Sequence, residues 1–127
     1  MIKAFAALTL TALLSACASM NMGGAPMAAK FEGGMVVSSA GMSLYTFDKD
    51  VAGSGKSSCN GQCAVNWPPL KAAAADQASG DWSIVVRDDG SKQWAYRGKP
   101  VYLWIKDHKP GDKTGDGVNK VWHIASK

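Results

Sequence analysis

The chain has 127 residues, of which 46% are hydrophobic and 19% charged, and a formal net charge of +4. That length provides for one small domain with one core. Its 14 basic residues are scattered among ten acidic ones rather than massed in a stripe, which argues against a nucleic-acid partner.

At the N-terminus, Lys3 is the only charge before a weakly polar to apolar run over residues 4–14, and Leu14-Ser15-Ala16-Cys17 follows. A basic start, a short apolar run and small residues before a cut site predict a signal peptide over residues 1–16. The run is shorter than the roughly 20 residues that span a bilayer. The tetrapeptide resembles the bacterial lipobox. By that resemblance Cys17 receives lipid, palmitate-type acyl chains among it, and becomes the first mature residue. Two or more acyl chains anchor stably, at ~0.8 kcal/mol per buried methylene. Ala18 rather than Asp follows the cysteine. In a Gram-negative cell this implies the outer membrane, with the domain facing the periplasm.

Residues 17–30 are rich in Ala, Ser, Met and Gly, and read as a flexible tether. Met20, Met22 and Met27 lie in it, and thioethers suit Cu(I), which makes copper an alternative. Apart from Cys17 no Cys or His accompanies them, and low-complexity tether is the reading taken.

A single domain is expected over residues 31–127. Residues 31–38, a turn at Ser39-Ala40-Gly41 and Leu44-Tyr45-Thr46-Phe47 predict a first hairpin. A Gly- and Ser-rich loop then carries Cys59-Asn60-Gly61-Gln62-Cys63. With Cys17 taken by lipid, an even pair remains in an exported chain, which favours a structural disulfide between Cys59 and Cys63. A redox pair or metal ligation is the alternative; redox pairs usually have two intervening residues at a helix N-terminus, and no helix signal stands here. Trp67-Pro68-Pro69-Leu70 reads as a rigid extended segment, and residues 71–80 as a loop or one helical turn. Trp82, Ile84 and Val86 alternate with Ser83, Val85 and Arg87; Asp88-Asp89-Gly90-Ser91 turns the chain back along Gln93-Trp94-Ala95-Tyr96. Residues 101–106 are expected as the third strand of this meander, apolar on both faces, and Val121-Trp122-His123-Ile124 as the last strand. The fold class is all-β.

Two stretches repeat. Gly41-Met42-Ser43-Leu44-Tyr45-Thr46-Phe47-Asp48-Lys49-Asp50 and Gly98-Lys99-Pro100-Val101-Tyr102-Leu103-Trp104-Ile105-Lys106-Asp107 share Gly, an aliphatic, Tyr, an aromatic and Asp at equal spacing. Trp67 follows Tyr45 by 22 residues, and Trp122 follows Tyr102 by 20. A small antiparallel β-sandwich or barrel built from two internal repeats, about 33–70 and 82–125, with long polar loops, is therefore expected. The two tyrosine motifs, Cys59 and Cys63 ahead of Trp67-Pro68-Pro69-Leu70, and Gly111-Asp112 with Gly115-Asp116-Gly117 carry a resemblance. They resemble the predicted bacterial lipoproteins with the Yx(FWY)xxD motif, the secreted repeat of unknown function. That resemblance implies a small envelope-exposed β domain and carries over no catalytic residue.

Tyr45 with Phe47, and Tyr102 with Trp104, fall on one strand face at i and i+2. Asp50 and Asp107 stand where they can cap loop amides. A packed strand-to-loop corner is the main reading; an exposed aromatic platform for glycan rings is the sharper one, and buried rings would exclude it. Asp112-Lys113-Thr114-Gly115-Asp116-Gly117 resembles the opening of a calcium loop, with Asp112 and Asp116 as candidate ligands. Its twelfth position is His123 rather than a bidentate Glu. His108 and His123 lack a third partner for zinc. No nucleophile elbow, phosphate-cradling loop or zinc-protease motif occurs. The expectation is a non-catalytic interaction or structural lipoprotein of the cell envelope, holding the membrane by its lipid and reaching peptidoglycan or an envelope protein. Binding of a glycan, calcium or copper is the alternative.

Overall fold

Glycine placement sets the first hairpin in the computed structural model, which describes residues 25–127. Strands β1 (Ala29–Glu32) and β2 (Met35–Ser38) pair antiparallel about Gly33 and Gly34, both at positive φ, a backbone that glycine adopts without steric cost. The expected turn at residues 39–41 follows β2, with the Gly41 N–H donating to the Ser38 carbonyl. Ala29 is buried within β1, so ordered structure begins inside the segment assigned to the tether. Strand β3 (Tyr45–Phe47) comes next, then helix α1 (Gln62–Asn66), one turn long and holding Cys63. Sequence reasoning found no helix there; a turn this short has no apolar periodicity to reveal it.

The second hairpin joins β5 (Trp82–Val86) to β6 (Lys92–Tyr96). Short strands β4 (Lys71–Ala72) and β7 (Lys99–Pro100) pair with different stretches of β6. The alternation along β5 changes phase: Trp82 and Val85 are buried, Val86 is exposed, and Arg87 beyond the strand is buried. The far end of the hairpin turns its other face inward, toward a polar core. The last strand, β8 (Trp122–Ile124), pairs antiparallel with β3, placing Phe47 opposite Trp122.

The expected continuous strand over residues 101–106 does not form. Val101 N–H still donates to Trp94 O of β6, and beyond it Tyr102 bridges to Tyr45 and to Pro69. Beyond it the Leu103 and Ile105 amides donate to the carbonyls of Pro68 and Asn66. Val101 is buried while Ile105 is exposed, so the two do not share an inward face. Residues 66–70 run alongside from Val101 to Ile105, but Pro68 and Pro69 have no N–H to return, so the ladder is one-sided and no continuous strand results.

Small antiparallel sheets built from two repeats make up the domain, and no closed barrel forms among the described residues. The repeats are interlocked. Val36 N–H donates to Ala125 O at 3.0 Å, and Ala125 N–H to Leu44 O at 2.8 Å. In the other half, Trp94 N–H donates to Leu70 O at 2.8 Å, and Leu70 N–H to Val101 O at 3.0 Å. The C-terminal segment of each repeat thus lies between the hairpin and the tyrosine segment of the other. Neither repeat can complete its own sheet. One apolar cluster gathers Val36, Leu44, Leu70, Trp82, Trp94 and Val101, residues of both repeats. A second holds Tyr45, Cys59, Trp67, Tyr102 and Trp122.

Candidate functional site

The second cluster is where the repeated motif residues meet. Tyr45 and Tyr102 face each other as an antiparallel pair: Tyr45 N–H donates to Tyr102 O at 2.8 Å and Tyr102 N–H to Tyr45 O at 2.9 Å. An approximate two-fold axis passes between them. Each phenol then reaches into the opposite repeat. Tyr45 Oη donates to Asp107 Oδ2 at 2.6 Å, and Tyr102 Oη to Asp50 Oδ2 at 2.6 Å. The second oxygen of each carboxylate takes a loop amide, from Thr114 at 2.9 Å and from Ser58 at 2.6 Å. Such bonds to a buried carboxylate are short and strong.

The large rings follow the same axis. Trp67 packs edge-on against Tyr45 at 5.4 Å, and Trp122 against Tyr102 at 5.2 Å. The two indoles stack on each other at 3.8 Å, 3° from parallel. Phe47 covers the outer face of Trp122 at 4.2 Å, and Trp104 that of Trp67 at 3.9 Å. Phe47, Trp122, Trp67 and Trp104 form one stack of four rings drawn alternately from the two repeats. Aromatic contacts contribute about 0.5–1.5 kcal/mol per pair beyond the area they bury. Tyr45 and Tyr102 are fully buried and Trp67 and Trp122 nearly so, which takes both phenol rings out of an exposed aromatic platform, while Phe47 and Trp104 at the two ends of the stack are half-buried. Gly115 lies against this stack. A Cβ there would stand 2.9 Å from both Trp67 and Tyr45, so only glycine allows the approach.

Burial governs the electrostatics. Desolvation pushes both phenols well above their ordinary value of 10.0, and hydrogen bonding to Asp107 and Asp50 adds to the shift. Desolvation also raises the Asp50 carboxyl, although bonds from Tyr102 and Ser58 oppose it. The Asp50 end continues inward: Ser57 Oγ lies 2.6 Å from Tyr102 Oη and accepts from Arg87 Nη1 at 3.0 Å. Buried Arg87 also donates to Gln93 Oε1 at 2.6 Å and to the Cys59 carbonyl. A buried cation needs such partners.

Cys59 and Cys63 are disulfide-bonded, with Cα atoms 5.2 Å apart and Cys59 fully buried. Asp112 and Asp116 turn to different tasks. The Asp112 carboxylate takes the amides of His108 and Lys109 and the Lys109 ammonium, and the Lys109 hydrogen bond leads in holding it down to about 2. Asp116 accepts from the Ile124 amide. Among the described residues no group of three or more His, Cys, Asp or Glu is placed to hold a metal ion. Met27 is almost fully exposed, while Cys17, Met20 and Met22 lie outside the described residues. Sequence reasoning missed Ser57, Arg87, Gln93 and Gly115. For Ser57 there was a signal: it and Thr114, both hydroxyl residues, stand 57 positions apart, as Tyr45 and Tyr102 do.

A family model described as a secreted repeat of unknown function matches residues 28–71 and again 83–126. The chain belongs to this secreted-repeat family. Both matched copies begin at or within a hairpin and end at the segment that crosses to the other half. The secreted-repeat chain is accordingly an extracellular or envelope protein of unassigned molecular activity. No described helix is long and apolar enough to cross a membrane. No curated protein and no solved structure matches this secreted-repeat protein.

Proposed function

We propose that this protein is a lipid-anchored, non-catalytic interaction or structural module of the bacterial cell envelope, held at Cys17. The observation that carries the reading is that the repeated motif side chains are spent on one another. Both phenols, both carboxylates and four large rings close a single polar and aromatic centre shared by the repeats. Phenols raised by burial stay neutral near pH 7 and do not act as bases or nucleophiles there. What the motif makes is a rigid body suited to presentation on a tether. Leu14-Ser15-Ala16-Cys17 supports the lipid attachment, and Ala18 an outer-membrane address in a Gram-negative cell.

Metabolic labelling with an alkyne palmitate analogue tests the anchor. Wild-type protein should take up label and sediment with membranes; Cys17→Ala should be unlabelled and lose membrane association. A variant that is still labelled, or that sediments at the mature size, would sink the proposal.

A further inference from the structure

The near-symmetry of the repeats separates residues that the fold uses twice from residues present in one half only. A cleft of about 320 Å³ is lined by Thr46, Asp48, Arg97, Lys99, His123 and Ser126 around a floor of Tyr96, Ile124 and Ala125. The backbone register relates Thr46 to Leu103, Asp48 to Ile105, and His123 to Pro68, because the Asp48 amide donates to Val121 O as the Ile105 amide does to Asn66 O. None of those three counterparts can hydrogen-bond through its side chain. Repacking of the fold therefore does not require polar groups here, yet they converge.

Their arrangement is fixed. His123 Nε2 lies 2.8 Å from Asp48 Oδ2, which orients the ring. Arg97 has a left-handed backbone, φ 52, held by its N–H on Asp81 O at 2.7 Å. The next residue, Gly98, is clamped against Gly53, where a Cβ would come within 2.8 Å of the Gly53 nitrogen. Arg97 and Gly98 are the two central residues of the turn between β6 and β7, which requires positive φ at both and fixes where the Arg97 side chain leaves the backbone. Lys99 is exposed and joins no ion pair among the described residues, whereas the Arg97 guanidinium rests over the Tyr96 ring and reaches Asp81 at 3.5 Å.

We infer that this cleft binds an acidic sugar, a hydroxylated ring carrying one carboxylate or phosphate. Lys99 and Arg97 take the acid group. Asp48, His123, Thr46 and Ser126 offer the mixed donors and acceptors that ring hydroxyls need, above an apolar floor. A bare anion would be set against the Asp48 carboxylate; a neutral sugar would leave Lys99 unused. The inference stands apart from the lipid anchor.

Amide shifts of the full-length ¹⁵N-labelled protein in detergent test it, with glucuronate, glucose 6-phosphate, glucose and sodium phosphate as probes. Saturable shifts at Thr46, Asp48, His123 and Ser126 are expected from glucuronate or glucose 6-phosphate, and the tighter of the two identifies the acid group. Lys99→Met should weaken binding about tenfold, the loss of one charge-assisted hydrogen bond, and Asp48→Asn should weaken it too. Arg97→Gly should weaken binding while leaving the melting temperature unchanged or higher, because the left-handed strain is relieved; a purely structural Arg97 would lower the melting temperature. Absence of saturable shifts, equal response to phosphate alone or to glucose, or wild-type affinity in Lys99→Met overturns the inference.

Discussion

Removing one phenol tests whether the two repeats fold as one body. Tyr102→Phe deletes the 2.6 Å bond to Asp50 and the 2.6 Å contact with Ser57, and leaves the ring packed on Trp122. Tyr45→Phe deletes the dyad-related bond to Asp107. A hydrogen bond to a charged group contributes about 1.5–3 kcal/mol, and the orphaned carboxylate stays buried. Each variant should therefore lose about 2 kcal/mol, a large part of a stability of roughly 5–15 kcal/mol. For a domain of this size that lowers the melting temperature by roughly 8–16 °C. Urea unfolding followed in parallel by tryptophan fluorescence and far-UV circular dichroism reads both the loss and its cooperativity. Because each repeat completes the other's sheet, both probes should give one coincident transition with an unchanged slope. A loss under about 0.5 kcal/mol in either variant, or separate transitions for the two probes, refutes the shared-centre argument.

Gly115→Ala should destabilise by about 1–3 kcal/mol through overpacking against Trp67 and Tyr45, read by the same urea titration; a neutral result would mean the stack gives way freely. Tyr45 and Tyr102 have raised folded-state values, so their contribution is fully present below pH 10.0 and is lost as pH rises through those values. Tyrosinate absorbance should therefore show two of the three tyrosines ionising only together with unfolding, and their titration in the folded protein near pH 10 would contradict the burial. The Asp50 carboxyl is likewise raised, so its contribution declines as pH rises from 3.8 through the folded value. Asp50→Asn should accordingly be less destabilising at pH 7 than at pH 3, and a cost that grows across that interval would reverse the assignment.

The repeat was legible because its residues are local: Tyr, aromatic and Asp recur at fixed spacing, and a period of this length survives in the sequence. The partner of each was not. Asp50 lies five residues from Tyr45 but serves Tyr102, because the crossing of chains is a property of register, which spacing within one repeat cannot encode. The expected strand over residues 101–106 failed for a related reason. Its apolar alternation is real, but the segment lies between Tyr45 and residues 66–70, where Pro68 and Pro69 give no N–H, and periodicity says nothing of which neighbour supplies the bonds. Arg87 read as the outer end of a strand, and only the Ser57 hydroxyl, the Gln93 amide oxygen and the Cys59 carbonyl around it reveal an inward cation.

Strand β2 lies between the two extremes of the described chain: β1 pairs along one side, while Ser126 bridges to Met35 and the Lys127 amide donates to Gly34 O at 2.8 Å on the other. The two ends of the described residues are therefore neighbours, and the exposed stretch over residues 73–81 is what joins the repeats in their present order. Seen as a ring, the fold is indifferent to where that ring is cut. A circular permutant opened in this stretch, with the old ends joined by a short linker, presents the second repeat first and keeps every crossed contact. Its new N-terminus would then lead into the second hairpin instead of the first, so the same body would be presented in the reverse orientation.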